Sequence, residues 1–178
     1  MLPLAKSKWQ RHFRRIMRKI SQKDFEANLL AQARENGIDL SDADLSDIVW
    51  HGLDLSAATI AMSVLRNAHF SATQSLSGCT WIGNRIENCA FESVPISKAE
   101  LLHCEFEACA MHAMRFFRTD LSGTIFSSCR FVDVDLSEAV AIRVRFENCS
   151  FTHTRLTRDF LFTGTGDFKF SPEGNLNI

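Results

Sequence analysis

The cysteines of this chain stand at 79, 89, 104, 109, 129 and 149, and every interval between them is a multiple of five. Two residues after each comes a large apolar side chain: Trp81, Phe91, Phe106, Met111, Phe131 and Phe151. Stepping by five from Leu76 lands on a large apolar residue at every position to Leu156 except Ala141. The same step from Leu40 reaches Leu45, Trp50, Leu55, Ile60, Leu65 and Phe70, one residue out of phase, so a single extra residue enters in the stretch Ser71 to Ser75. A helix repeats its side-chain pattern near 3.6 residues and a strand at 2, so neither accounts for a strict five. Self-similarity at a fixed period marks units that bury a face only by stacking on one another.

The segments Ala43-Asp44-Leu45 and Ala99-Glu100-Leu101 carry an A-(D/N)-L pattern, with relatives at Ile38-Asp39-Leu40, Leu53-Asp54-Leu55, Thr119-Asp120-Leu121 and Val134-Asp135-Leu136. On these motifs, over about residues 38 to 158, the chain resembles the pentapeptide-repeat family. The resemblance implies an all-β solenoid, a right-handed quadrilateral β-helix with one pentapeptide per side and four sides per coil. Centres twenty apart then stack in columns. One column is Trp50, Phe70, Phe91, Met111, Phe131, Phe151, and a second is Leu45, Leu65, Ile86, Phe106, Phe126, Phe146. The third is Leu40, Ile60, Trp81, Leu101, Leu121, Ala141, and the fourth Leu55, Leu76, Ile96, Phe116, Leu136, Leu156. Six coils at a strand spacing of about 4.8 Å make a rod of about 29 Å. Fifteen Phe and no Tyr suit an interior that offers no partner to a phenolic hydroxyl.

Three regions follow: a basic helix and helical cap over 1–36, the repeat over 37–160, and a C-terminal cap with a loose tail over 161–178. Ser21 with Asp24 approximates a capping box, Phe25, Leu29 and Ala33 form one stripe, and Gly37 suits a helix end. That helix is expected across the first coil, over Leu40 and Leu45. Before it, Trp9, Phe13, Ile16, Met17 and Ile20 fall within about a 100° arc of a helical wheel, opposite Lys8, Arg11, Arg14, Arg15, Arg18 and Lys19. Residues 1–35 carry nine Lys or Arg against three acids, and residues 36–160 ten against sixteen. Trp9, Arg11, Phe13, Arg14, Arg15, Ile16 and Arg18 are the candidate contact residues, for an anionic membrane surface, an acidic partner, or packing on the rod itself.

Reaction chemistry is not written in the pattern. Cys89, Cys109, Cys129 and Cys149 fall in one column, with neither the CxxC nor the Cys/His grouping of a zinc site, and read as small buried hydrophobes interchangeable with Ala58, Ala68 and Val94. His103, His112 and His153 read as lone surface histidines on different coils, and Glu87, Glu92, Glu105, Glu107 and Glu147 as a solvated mixed-charge surface with Arg115, Arg130, Arg143 and Arg145. GTGDF lacks the context of a phosphate loop. No enzyme, cofactor or metal is expected, nor sequence-specific nucleic-acid binding.

The expectation is a non-catalytic protein–protein interaction module in the bacterial cytoplasm. The resemblance brings two alternatives. One is a DNA-mimicking modulator of a topoisomerase, as in quinolone-resistance relatives that bind gyrase, although those are similar to a dimer joined through a C-terminal helix, whereas a non-helical tail is expected here. The other is a secreted effector that associates with host membranes or proteins.

Overall fold

The computed structural model describes residues 17–32, 37–50, 52–157 and 161–170. From Leu40 to Leu156 the chain winds as a solenoid of short parallel strands, and every repeat centre is buried. The strand pairs confirm the columns: Phe91↔Met111↔Phe131↔Phe151, Ile86↔Phe106↔Phe126↔Phe146, Ile60↔Trp81↔Leu101 and Ile96↔Phe116. Each column of six members has five steps, so the rod makes about five turns. Four faces result, named below for their first members: Leu40, Leu45, Trp50 and Leu55.

Each side is built the same way. The centre and the small residue two before it point inward, and the residues flanking the centre point out. At all the described non-glycine corners but Ala72 and Glu138, the residue two after the centre turns in the left-handed region, with φ of 49–64° even when it is Ala57, Lys98, Arg118 or His153. An L-residue there costs about 1–2 kcal/mol, so the stacking of layers holds the corners in place. Ala108, exposed with φ 52°, shows the cost directly. Ala108→Gly is expected to stabilise the rod by about 0.5–1 kcal/mol, less than the relief of strain because glycine also loosens the unfolded chain. A raised urea midpoint checks this, and an unchanged or lowered one contradicts it.

Where the motif reads Asp-Leu-Ser, the carboxylate clasps the next corner. Asp120 Oδ1 accepts from the Ser122 amide at 2.9 Å and its hydroxyl at 2.5 Å, and Asp135 does the same for Ser137. At Asp54 the bonds from the Ser56 side chain and amide hold the carboxyl below its usual range.

The extra residue lies where the sequence places it. Pairs cross it with a spacing of 21, as in Ile60↔Trp81 and Phe70↔Phe91, whereas Asp39↔Thr59 is spaced by 20. A turn absorbs it: the Gln74 amide donates to Ser71 O at 3.0 Å, and the buried Gln74 side chain donates to Trp50 O at 2.5 Å.

Rings fill the interior. Phe70–Phe91, Phe106–Phe126, Phe126–Phe146 and Phe131–Phe151 stack at centroid distances of 4.9–5.1 Å, and edge contacts link adjacent columns. A residual cavity of only about 10 Å³ remains around Met111, Met114 and Phe116, below or at the room one water needs. The indole N–H groups of Trp50 and Trp81 are buried without an acceptor, a cost the ring packing outweighs.

The N-terminal end is closed by a helix, α1 (Gln22–Gln32). Ser21 caps it: its hydroxyl accepts from the Asp24 amide at 3.1 Å and donates to the Asp24 carboxylate at 2.8 Å. Phe25 and Leu29 are buried in the core together with Leu40 and Leu45, and Phe25 meets Trp50 edge-on at 5.0 Å. Gln22 bonds both backbone polar groups of the exposed Val49, accepting from its N–H at 2.9 Å and donating to its O at 3.1 Å. Ala33 lies outside the described residues.

Two expectations are corrected. The amphipathic helix read through to Ile20 does not extend over Arg18–Lys19, which form a strand parallel to Ala43–Asp44. The open edge of the first coil needs hydrogen-bond partners, and that need overrides the helical pattern. At the other end, the segment read as a loose tail contains the strand Leu161–Phe170, paired along Arg145–Leu156. It cuts each corner by one residue, so its offset from the coil beneath falls from 16 at Phe146 to 15 at Phe151 and 14 at Leu156.

Candidate interaction surfaces

Of the candidate contact residues, Trp9, Arg11, Phe13, Arg14, Arg15 and Ile16 lie outside the described residues. Arg18 is exposed on its strand and helps line a groove of about 180 Å³ with Ile20, Asp24, Asn28, Ser41, Asp42 and Ala43, between α1 and the first coil. Its neighbour Lys19 pairs with Asp47 at 3.0 Å. Bonds from Asn67 and then Lys19 hold the Asp47 carboxyl below its usual range.

The faces differ in chemistry. On the Leu45 face, cations and carboxylates pair within and between layers: Arg66 bonds Glu87 at 2.6 Å and Ser46 at 3.2 Å, and Arg85 bonds Glu87 and, at 3.1 Å, Glu107. Along its edge, Asn88 donates to Asn67 at 2.8 Å and Asn67 to Asp47 at 2.7 Å. On the Leu55 face, Phe117 replaces the serines found at the same place in neighbouring layers, and the guanidiniums of Arg115 and Arg118 lie 5.4 and 5.2 Å from its ring centre.

The Trp50 face corrects the reading of His112 and His153 as lone histidines. His69, Glu92, His112, Asp133 and His153 form one unbroken chain along the rod, with nitrogen–oxygen distances of 3.8, 3.6, 3.7 and 3.2 Å in turn. The sequence hides this ladder because its members occupy three different places in the repeat. All five are half-exposed or more, and exposed ion pairs of this kind contribute little to stability.

The cysteine slots are less inert than small hydrophobes. All six thiols are buried and free. Cys104, Cys109, Cys129 and Cys149 donate S–H to the carbonyl of a centre in the coil below, at 3.3–3.5 Å. Thr124, Ser63 and Asn84 make the same bond from the same slot, so the position selects a small donor to satisfy an interior carbonyl. Burial pushes Cys79 and Cys104 up to about 12. The neighbouring Cys129 thiol and then burial hold Cys109 at about 12, even though the Cys89 thiol on its other side lowers it. Cys109 pulls Cys129 down, but Cys149 and burial outweigh it, to about 12. Cys89 is raised by the neighbouring Cys109 thiol, and Cys149, at the end of the row, is lowered by the neighbouring Cys129 thiol. Interior S–H donors of this kind hold structure rather than attack substrates. Cys129→Ala is therefore expected to cost at most about 1 kcal/mol, and Cys129→Thr less, since threonine keeps the donor. Thermal unfolding checks both, and a larger loss in the threonine variant contradicts the donor role.

Among the described residues, no grouping of His, Cys, Asp or Glu is placed to hold a metal ion, and no helix is long and apolar enough to cross a membrane. Residues 77–156 match a family model described as a pentapeptide repeat region. That stretch is a run of pentapeptide repeats. Solved structures similar to it are of the same kind. Trypsin-treated QnrB1, a plasmid-mediated fluoroquinolone resistance protein, is 14% identical over 85% of this chain and 87% of its own, with a TM-score of 0.38. Rfr23 from the cyanobacterium Cyanothece 51142 is 11% identical over 78% of this chain and 99% of its own, TM-score 0.31. HetL from Nostoc sp. strain PCC 7120, involved in regulating heterocyst differentiation, is 14% identical over 76% and 68%, TM-score 0.31. No curated protein matches the chain.

Proposed function

We propose that this chain is a non-catalytic protein–protein interaction module. The filled interior carries the reading: among the described residues the repeat centres are buried and the cavity around Met111, Met114 and Phe116 is only about 10 Å³, which leaves recognition to the outer faces. Those faces are flat, and their side chains are held in ladders by neighbours one layer away. Ordering them therefore costs little on binding, which suits recognition of a folded partner.

The test is affinity capture from a bacterial lysate with the full chain, beside a variant with Arg66, Arg85, Glu87 and Glu107 changed to Ser. A partner retained by the first and lost by the second, with unfolding temperature unchanged, supports the module. Retention insensitive to substitutions on every face contradicts it.

The carboxylates Asp44, Glu87, Glu105, Glu107 and Glu147 on the Leu45 face give some support to a DNA-mimicking topoisomerase modulator. Pairing of Glu87 and Glu107 with Arg85, and of Glu147 with Arg145, weakens the acidic field such a mimic needs. A gyrase supercoiling assay decides between the readings: inhibition by the full chain favours the mimic, and its absence favours the general module.

A further inference from the structure

Imidazole is the side chain whose charge ordinarily changes between pH 5 and 8, and three of the five members of the ladder on the Trp50 face are histidines. The side chains of His69, His112 and His153 are 61%, 50% and 69% exposed, so water reaches each ring. Glu92 stands between His69 and His112, and Asp133 between His112 and His153. With neutral rings the ladder carries the negative charge of its two carboxylates, and with all three rings protonated its cations are in excess. Other charges nearby do not cancel this reversal. Arg130 lies on the same face, in register with Ala110 and Ser150. At the corner before the face Asp47 pairs with Lys19, and beyond the corner after it Arg155 pairs with Asp135 and Arg115 with Glu138. In the strand Leu161–Phe170, Asp167 falls at the register shift between Phe151 and Thr154, one layer beyond His153. The surroundings are small: Ala90 and Ala110 lie in register across the face, and Ser93 and Ala113 turn its corners.

We propose that the Trp50 face is an acid-dependent docking surface for an anionic partner protein, which it holds in weakly acid medium and releases as pH rises. This rests on the reading of the chain as an interaction module and adds how one of its faces is regulated. Charge complementarity selects the sign of the partner. Imidazoles already stand on both sides of Glu92 and of Asp133, at 3.2–3.8 Å, so a cationic partner would compete with them. In acid, Arg130 and three imidazoliums outnumber Glu92, Asp133 and Asp167, and the surplus suits an anion. At alkaline pH that surplus is gone, and a rod with ten Lys or Arg against sixteen acids over residues 36–160 repels the same partner. The Leu45 face has no such reversal, because its arginines stay paired with carboxylates across this range. The other described histidine outside the ladder, His103, stands at a corner of the Leu40 face with its ring against Gly123.

Fluorescence anisotropy with labelled poly-L-aspartate as the probe tests this on the full chain, at low salt so that exposed charges are felt. Affinity should be about tenfold higher at about pH 5.5 than at about pH 8. In His69→Asn/His112→Asn/His153→Asn the ratio should fall to about twofold or less, and His103→Asn should keep it. Asparagine suits the left-handed corner at 153, so that substitution spares the turn. If the triple variant loses its circular dichroism, Glu92→Gln/Asp133→Asn replaces it, and binding at the alkaline pH should then rise about tenfold. No acid dependence in the unaltered chain overturns the proposal. A full ratio in the folded triple variant, or unchanged alkaline binding in the carboxylate variant, does the same. Acid-dependent binding to phosphatidylserine vesicles without binding to poly-L-aspartate assigns the face to a membrane surface and overturns it equally. Capture from a bacterial lysate at both pH values separates the two readings: a partner retained equally at both overturns the acid dependence and leaves the module standing, whereas no partner at either overturns both.

Discussion

Phe131→Asp should unfold the rod or split it in two. Phe131 is fully buried, with Phe126, Phe146 and Phe151 at 5.5, 5.4 and 5.1 Å between ring centres and Met111 paired in the layer below. A carboxylate there loses the stacking and meets neither cation nor water, a combination that costs more than about 5 kcal/mol. Such a loss is comparable to the whole stability of a domain of this size. Circular dichroism and limited proteolysis follow it: the expected outcome is loss of strand signal, or a protected fragment ending before residue 131. Phe131→Leu, which keeps the slot apolar, should cost only about 1–2 kcal/mol and remain folded. A Phe131→Asp chain with the native unfolding temperature would mean that the column is not the core.

The next largest effect is expected at the N-terminal end. Phe25 is fully buried against Trp50, and α1 is the cover that the described residues place over this end of the column. Phe25→Ala should cost about 3–4 kcal/mol through the cavity it leaves. It should also loosen the Gln22 clasp on Val49 and bare a strand edge able to pair with another chain. Size-exclusion chromatography should then show association that grows with concentration, alongside a lowered unfolding temperature. Ser21→Ala, which removes only the cap, should cost about 1 kcal/mol and leave the chain monomeric. A monomeric Phe25→Ala chain of unchanged stability contradicts the capping role.

The sequence made the columns legible because a repeat centre announces itself by size: Trp, Phe, Leu and Ile cannot face water at every fifth place. The phase slip between Phe70 and Leu76 was legible for the same reason, and Ser21 followed by Asp24 gave the start of α1. Other features leave no such mark. The left-handed corners accept Asn, Ala, Lys, His and Arg alike, because layer stacking rather than local preference sets their φ. The strand Arg18–Lys19 sits inside a helical pattern, and only the open edge at Ala43–Asp44 explains it. Leu161–Phe170 abandons the period of five by cutting corners, so no count of spacings finds it. Cysteine in the small slot looked like a shape choice until its S–H was seen to meet a carbonyl. The ladder from His69 to His153 joins residues from different places in the repeat, and only the twenty-residue coil brings them together.

The central claim is that layers of twenty residues, each stacked only on its neighbours, make the rod. Thermal unfolding of a chain in which residues 90–109 are duplicated in place tests it most directly. An added layer brings a full set of stacked centres, Phe91, Ile96, Leu101 and Phe106, and its own interlayer bonds. The account predicts one cooperative transition at a temperature equal to or above that of the original chain. A lower temperature, or a transition broken into separate steps, would contradict it.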